Sequence, residues 1–526
     1  MVAASRELLT WPAAPSSALP DTKDSMDFML GRKRVVLASN RGPVRYSISG
    51  TGELVSERGQ GGLVTALSSV MRHARVAWVA SSMSDGDREA SRRLDTRPDL
   101  RAVDEDLRLR LVNVAPAVYR RHYEVFSNPV LWLLQHSLGD ELIERPSSSI
   151  KEAWRWGYLP VNRAMARSIV DELNEADTLP CVFIHDYHLY LAGHYVRQLA
   201  PHAFLQHFTH IPWPAPGEGV RLLGSIWRQI LHCLLANDIV GFQTPRDVRN
   251  FLDDCGSCLP GARVDGSASA ASYLGRRVEV RSYPISVDAG AIKEQAKSPE
   301  FAAYRSKLMS VCGEFTIVKV ERVDPTKNTV LSMEAFRQML MSHPDLIGRV
   351  TMLAFLVPSR TSIPEYRLFK QKLLDQVNSI NRQFGRPGCL PIQVFYEDNY
   401  VQALAGMSLY DVLLVNPVAD GMNLVAKEGP LVNRKDGVLV LSETAGAYDQ
   451  LRLGALSVSH GDLKGTAETL YRALYMPRVE RQRRAAFLRS SIERDDLTHW
   501  LRRQFHDVFS LSGGLRRIGQ DAALTC

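Results

Sequence analysis

No apolar run in this chain approaches the roughly 20 residues that a membrane-spanning helix needs. Residues 1–30 also lack a basic start followed by a continuous hydrophobic segment, so neither a membrane partner nor export is expected, and a cytoplasmic location is. Cysteine is scarce: seven are scattered through 526 residues, an odd number that suits reduced thiols better than a disulfide framework. Metal frames are missing too. There is no HExxH, Cys255-Gly256-Ser257-Cys258 lacks a second ligand pair, and His185 and His188 stand only three apart. Asp104-Glu105-Asp106 is acidic enough to suggest a divalent cation, but no apolar strand leads into it, and a solvated turn is the better account. The net charge of +7 is spread out rather than gathered into a basic stripe with interleaved aromatics, which argues against nucleic acid and fits an anionic small substrate. Arg32-Lys33-Arg34 reads as a solvated lead-in to the first strand. A homo-oligomer is compatible with the sequence.

What is present is a regular alternation. Residues 1–32, rich in Ala, Pro, Ser and Asp without periodicity, read as a disordered leader. Short β-branched runs then alternate with amphipathic stretches: strands are expected at 35–38, 76–79, 181–184, 204–208 and 239–242. A second series follows at 315–320, 350–357, 392–396, 411–415 and 438–441. This pattern predicts an α/β protein of two facing, Rossmann-like, doubly wound domains, 33–284 and 285–478, and an arginine-rich helical segment over 479–526 that crosses back to the first. Ligands of such sheets sit at the carboxyl ends of the strands, so the two domains create one deep cleft.

The polar motifs fall just after these strands. Asp420-Gly421-Met422-Asn423-Leu424-Val425-Ala426-Lys427-Glu428 follows 412–415 and opens a helix, whose N-terminal N–H groups point at whatever lies above them. Such a turn suits diphosphate oxygens or sugar hydroxyls, with Glu428 two turns on for a ribose diol. Arg322 and Lys327 flank the turn after 315–320 and read as a leaving-group clamp. Ser39-Asn40-Arg41 leaves the first strand, and Gly59-Gln60-Gly61-Gly62 precedes an apolar helix; a glycine pair there is often only a turn. Arg41 and Arg360 are a candidate pair for an acceptor phosphate, although each alone reads as a surface arginine at a strand end.

Taken together, Ser39-Asn40-Arg41, Gly61-Gly62, Phe126-Ser127-Asn128 with Leu131-Trp132, His185-Asp186-Tyr187-His188, His210-Ile211-Pro212, Arg322 to Lys327 and the 420–428 block resemble the trehalose-6-phosphate synthase family in order and spacing, over about residues 34 to 510. The resemblance implies a GT-B fold and retaining glycosyl transfer without metal or other cofactor. It implies a donor site of Gly62, Arg322, Lys327, Gly421, Met422, Asn423, Leu424 and Glu428, and an acceptor site of Arg41, Tyr123, Trp132, Asp186 and Arg360. Asp186, His210, Arg322, Lys327 and Asp420 would carry the chemistry. Front-face substitution, in which the leaving phosphate oxygen takes the nucleophile's proton, would make a carboxylate nucleophile unnecessary.

Two departures matter. The family usually carries a second tryptophan three residues after the one at Trp78, and Ser81 stands there instead. The turn 323–328, Val-Asp-Pro-Thr-Lys-Asn, also differs from the usual Leu-Asp-Tyr-Ser-Lys-Gly. Loss of an acceptor-pocket indole removes apolar area and an N–H donor, which points away from glucose 6-phosphate. The resemblance is then greatest to the pseudo-glycosyltransferase branch of the validamycin pathway. That branch couples GDP-valienol to validamine 7-phosphate through a C–N bond with retention, giving validoxylamine A 7'-phosphate and GDP. The expectation is this antibiotic-biosynthetic coupling, with a GDP-linked donor and a phosphorylated cyclitol acceptor. Trehalose 6-phosphate synthesis from GDP- or UDP-glucose and glucose 6-phosphate is the alternative, and a catalytically silent regulatory relative is a remote third.

Overall fold

The structure, a computed structural model, describes residues 34–58, 67, 75–96, 102–104, 107–142, 145–173 and 181–523. The leader, Gly62 and the rest of the glycine loop lie outside the described residues.

The first twelve strands are β1 Arg34–Ser39, β2 Val44–Ile48, β3 Leu54–Arg58, β4 Arg75–Ser81, β5 Ala102–Asp104, β6 Leu107–Val112, β7 Cys181–His185, β8 Phe204–Phe208, β9 Ile239–Phe242, β10 Arg263–Asp265, β11 Ala270–Tyr273 and β12 Arg276–Ser282. Ten of them form one sheet in the order β10-β11-β12-β9-β8-β7-β1-β4-β6-β5, while β2 and β3 make a separate hairpin. The centre is parallel and buried on both faces: every residue of β7, β8 and β9 is buried, including the polar Gln206 and His207 of β8. Its edges are antiparallel: β5 pairs with β6, and β10 with β11. Asp104 therefore ends a short strand, not a bare turn.

The second sheet uses β13 Phe315–Arg322, β14 Val350–Val357, β15 Ile392–Phe395, β16 Val412–Val415, β17 Val438–Ser442 and β18 Leu456–Val458, all parallel, in the order β15-β14-β13-β16-β17-β18. Apolar side chains pack on both faces of β13, β14, β16 and β17, with Thr316 and Lys319 of β13 buried among them. Strand order reverses beside β13 and β16, and the loops leaving those two strands carry Arg322–Lys327 and the 420–428 block.

Hydrogen bonds hold the segment that follows the first half and the helix that returns to it. Lys427 Nζ donates to the Ile285 carbonyl at 2.8 Å, and the Leu497 N–H donates to Val287 at 3.1 Å. The final helix, Leu497–Ala523, returns to the first sheet, where Trp500 Nε1 donates to the Tyr283 carbonyl at 3.1 Å and Phe505 packs on Phe183. Among the described residues no helix is long and apolar enough to cross a membrane.

Candidate functional site

On the second domain, Lys327 is buried at the end of a short turn and pairs with Asp420. Burial alone raises the Asp420 carboxyl, but the Lys327 ammonium outweighs it and holds the group below the ordinary range. Asn423, at φ 76°, donates to Asp420 Oδ2 at 3.1 Å and accepts from the Ala426 N–H at 3.3 Å, bending the backbone into the helix Val425–Val432. That helix begins later than the sequence suggests, so Glu428 lies in its first turn rather than two turns along. Burial pushes Glu428 up to about 7, partly countered by the Tyr400 hydroxyl donating at 3.4 Å.

Gly421 brings the two domains into contact. A methyl on it would lie 2.0 Å from the His210 carbonyl oxygen, and the Gly446 position stacks equally close on Gly421 itself. His210 thus stands over the 420–424 turn, with Met422 buried and Leu424 half-buried below. His210 Nε2 faces His185 Nδ1 at 3.2 Å, and burial drives His210 well below the ordinary histidine range and His185 to about 3, so both rings are neutral at pH 7.

Asp186 joins this group from the end of β7. Its backbone at φ 75°, ψ 166° occupies a region that is nearly glycine-only, which costs on the order of 1–3 kcal/mol. The strain turns the carboxylate toward the His210 N–H, which donates to it at 3.3 Å. Burial raises the carboxyl to about 6, although the Tyr187 and His210 N–H groups and Arg322 and Arg360 pull the other way. A carboxyl raised in the folded state destabilises that state as pH climbs from the ordinary 3.8 through about 6. The rise corresponds to roughly 3 kcal/mol. Asp186→Asn is therefore expected to melt above the parent at pH 7.5 and to match it near pH 4, by thermal melts across that range, while turnover falls by about 100-fold.

The junction between the domains is built around one carboxylate of the Lys327 turn that sequence reasoning passed over. Asp324, fully buried, accepts from Trp132 Nε1 at 3.2 Å and from the Thr326 N–H and hydroxyl at 3.1 and 2.9 Å, and it forms an ion pair with Arg360. Burial raises it, but Arg360, Arg322 and Lys327 prevail and hold it at about 2. Arg360 lies over the Trp132 ring at 4.0 Å, and Arg322 over the same ring at 5.2 Å. Arg360 also reaches the Tyr187 hydroxyl at 3.3 Å. Trp132 and Tyr123 come from a twelve-residue π-helix, Arg121–Trp132, whose wide turns accommodate Pro129 inside the helix. Burial alone would raise the Tyr123 phenol, yet the guanidinium groups of Arg360 and Arg41 lower it, which puts both arginines beside it.

The two domains bring most of these residues together: Arg322 and Arg360 lie over Trp132, Arg360 and Arg41 flank Tyr123, Arg322 and Arg360 act on Asp186, and His210 stands over the turn in which Asp420 pairs with Lys327, while Glu428 faces Tyr400. Only an ion pair between a turn residue and Arg360, invisible in linear sequence, identifies Asp324. Among the described residues no group of three or more potential ligands is arranged for a metal.

The family model of glycosyltransferase family 20 matches residues 33–509. The bifunctional trehalose-6-phosphate synthase/phosphatase of Thermoproteus tenax is 34% identical over 483 residues, covering 89% of this chain and 62% of that protein. The chain thus spans less than two thirds of that relative. The trehalose-6-phosphate synthase of Mycobacterium avium is 32% identical over 92% of this chain and 96% of its own length. A solved UDP-forming α,α-trehalose-phosphate synthase from Burkholderia xenovorans, in complex with glucose 6-phosphate, superposes with a TM-score of 0.77 at 26% identity, covering 90% of this chain and 99% of that one.

Proposed function

This chain belongs to glycosyltransferase family 20 and has its GT-B fold, and from that premise we propose that it transfers a hexose, with retention, from a nucleoside diphosphate to a phosphorylated sugar. UDP-glucose and glucose 6-phosphate are the substrates, and trehalose 6-phosphate and UDP the products. The observation that carries this reading is a cluster of four cations where the two domains meet: Arg322 and Lys327 of the second domain for a diphosphate, and Arg360 of the second with Arg41 of the first, both beside Tyr123, for a monophosphate.

The chemistry follows from that placement. Negative charge grows on the departing diphosphate, and Arg322, Lys327 and the backbone N–H groups at Leu424 and Val425, where the helix Val425–Val432 begins, stabilise it without reorganising. Glu428, once deprotonated, accepts from the ribose diol. His210, held neutral, donates to or accepts from a hydroxyl of the transferred ring, and Asp186 accepts from the attacking hydroxyl and orients it. The proton passes to the leaving phosphate oxygen on the same face.

The expected guanine base gives way to uracil as the first to try, because the relatives are described as UDP-forming. The names of the relatives likewise favour trehalose phosphate over amine coupling. In favour of carbocyclic coupling stands Ser81, whose short side chain ends β4 where the family resemblance implies an indole. Offering the purified protein UDP-glucose or GDP-glucose with glucose 6-phosphate, and separately GDP-valienol with validamine 7-phosphate, discriminates the readings by product mass. Trehalose 6-phosphate from the first set is expected; turnover of the carbocyclic pair alone would overturn the assignment.

A further inference from the structure

The acceptor wall pairs Tyr123 with an aromatic residue, Tyr119, that none of the motifs includes. Tyr119 is buried, its ring lying parallel to that of Tyr123 at 5.7 Å and 10°. Its hydroxyl donates to Asn40 Oδ1 at 3.2 Å. Asn40 in turn accepts at its backbone carbonyl from the Ser81 N–H, also at 3.2 Å, and its own Nδ2 is buried with no partner among the described residues. One amide therefore ties together the tip of β4, the loop carrying Arg41 and the helix carrying Tyr119. The Ser81 hydroxyl is turned toward Met165 Sδ at 3.9 Å, so this corner of the pocket has its aromatic surface from Tyr119 and Tyr123.

We propose that Tyr119 and Asn40 are positioning residues for a hexose-phosphate acceptor, holding the Tyr123 ring and the Arg41 loop so that the phenol and guanidinium meet the phosphate already ordered. The inference rests on the acceptor reading above. Its physical basis is preorganisation. Freezing an arginine and a tyrosine at the moment of binding costs affinity, and a ring stacked on Tyr123 together with a hydrogen bond beside Arg41 removes part of that cost beforehand. Such a contribution appears in acceptor affinity and leaves donor affinity and the saturated rate alone, whereas a merely structural role would lower all three together.

The test compares Tyr119→Phe, which keeps the stack and loses the bond, with Tyr119→Leu, which loses both. Glucose 6-phosphate and inorganic phosphate are titrated calorimetrically into each protein, and steady-state constants are measured with UDP-glucose. Tyr119→Phe is expected to weaken glucose 6-phosphate by roughly three- to tenfold, the range of one neutral hydrogen bond. Tyr119→Leu should weaken it by about 30-fold or more, because the ring contact goes as well. The UDP-glucose KM and saturated kcat should stay within about twofold for both. Undiminished acceptor affinity in Tyr119→Leu, or in Tyr119→Phe if the leucine variant does not fold, overturns the inference while leaving the acceptor reading in place. Equal loss of donor and acceptor affinity overturns it too. If the parent protein binds neither phosphate compound, the acceptor reading fails first and takes this inference with it.

Discussion

Lys327→Ala is expected to lower the saturated rate with UDP-glucose and glucose 6-phosphate by about 1,000-fold, the scale of removing one preorganised donor from a developing anion. The ammonium is buried and already oriented on Asp420, so it meets the growing charge without reorganising. Acceptor KM should change little, because Arg41 and Arg360 are untouched. The same substitution leaves Asp420 buried without its cation, a loss of roughly 3–5 kcal/mol. That loss has a defined pH dependence. Asp420 titrates below its ordinary value in the folded protein, so its contribution is present above that value and disappears as pH falls through the folded one. Melting curves of parent and variant should therefore lie furthest apart near pH 7 and converge in acid. A single-turnover measurement separates the two effects, since at a temperature where both proteins are folded the rate loss must persist. A rate within about tenfold of the parent would remove Lys327 from the chemistry.

Asp324→Ala should be the most damaging substitution where Arg360 meets Trp132. It strips the ion-pair partner from Arg360 and the acceptor from the Trp132 N–H in one step. Removing one partner of a buried pair typically costs about 3–5 kcal/mol. Arg360 would then lie over the Trp132 ring without an anchor, and the acceptor KM should rise by roughly 30-fold or more. Asp324→Asn is the informative companion, because it keeps the shape and an acceptor for the indole while losing the charge. The folded carboxyl titrates at about 2 against an ordinary 3.8, so its stabilisation of roughly 2 kcal/mol is complete above 3.8 and is lost as pH falls through 2. Parent and Asp324→Asn should differ in denaturant midpoint at pH 7 and coincide near pH 2. An Asp324→Ala protein of parental stability and acceptor KM would mean that Arg360 needs no such anchor.

The central strands were legible where burial on both faces leaves apolar runs such as Val438 to Leu441 with no polar interruption. Several of the strands missed are ones that burial does not shape: Arg263–Asp265 is exposed throughout, and the hairpin of Val44–Ile48 with Leu54–Arg58 stands outside both sheets; Ala270–Tyr273 and Arg276–Ser282 were missed although partly buried, their apolar residues interrupted by charge and turn residues. Leu107–Val112 did alternate, and a search for period two alone would have found it. The site followed the same logic. Motifs that leave a buried strand were legible, since the strand fixes where its next residues point. Asp324, Tyr119 and the strained backbone of Asp186 were not, because each takes its role from a residue tens of positions or more away: Arg360 for the first, Asn40 for the second, His210 for the third. The π-helix was hidden for a related reason, as its register depends on packing that includes the close approach of Gly157 to His122.

A crystal structure of the protein with UDP and glucose 6-phosphate tests the central claim most directly. The account predicts the diphosphate within hydrogen-bonding distance of both Arg322 and Lys327, and the acceptor phosphate between Arg41 and Arg360. Nucleotide bound outside the crevice between the two sheets, or a diphosphate that touches neither cation, would contradict it.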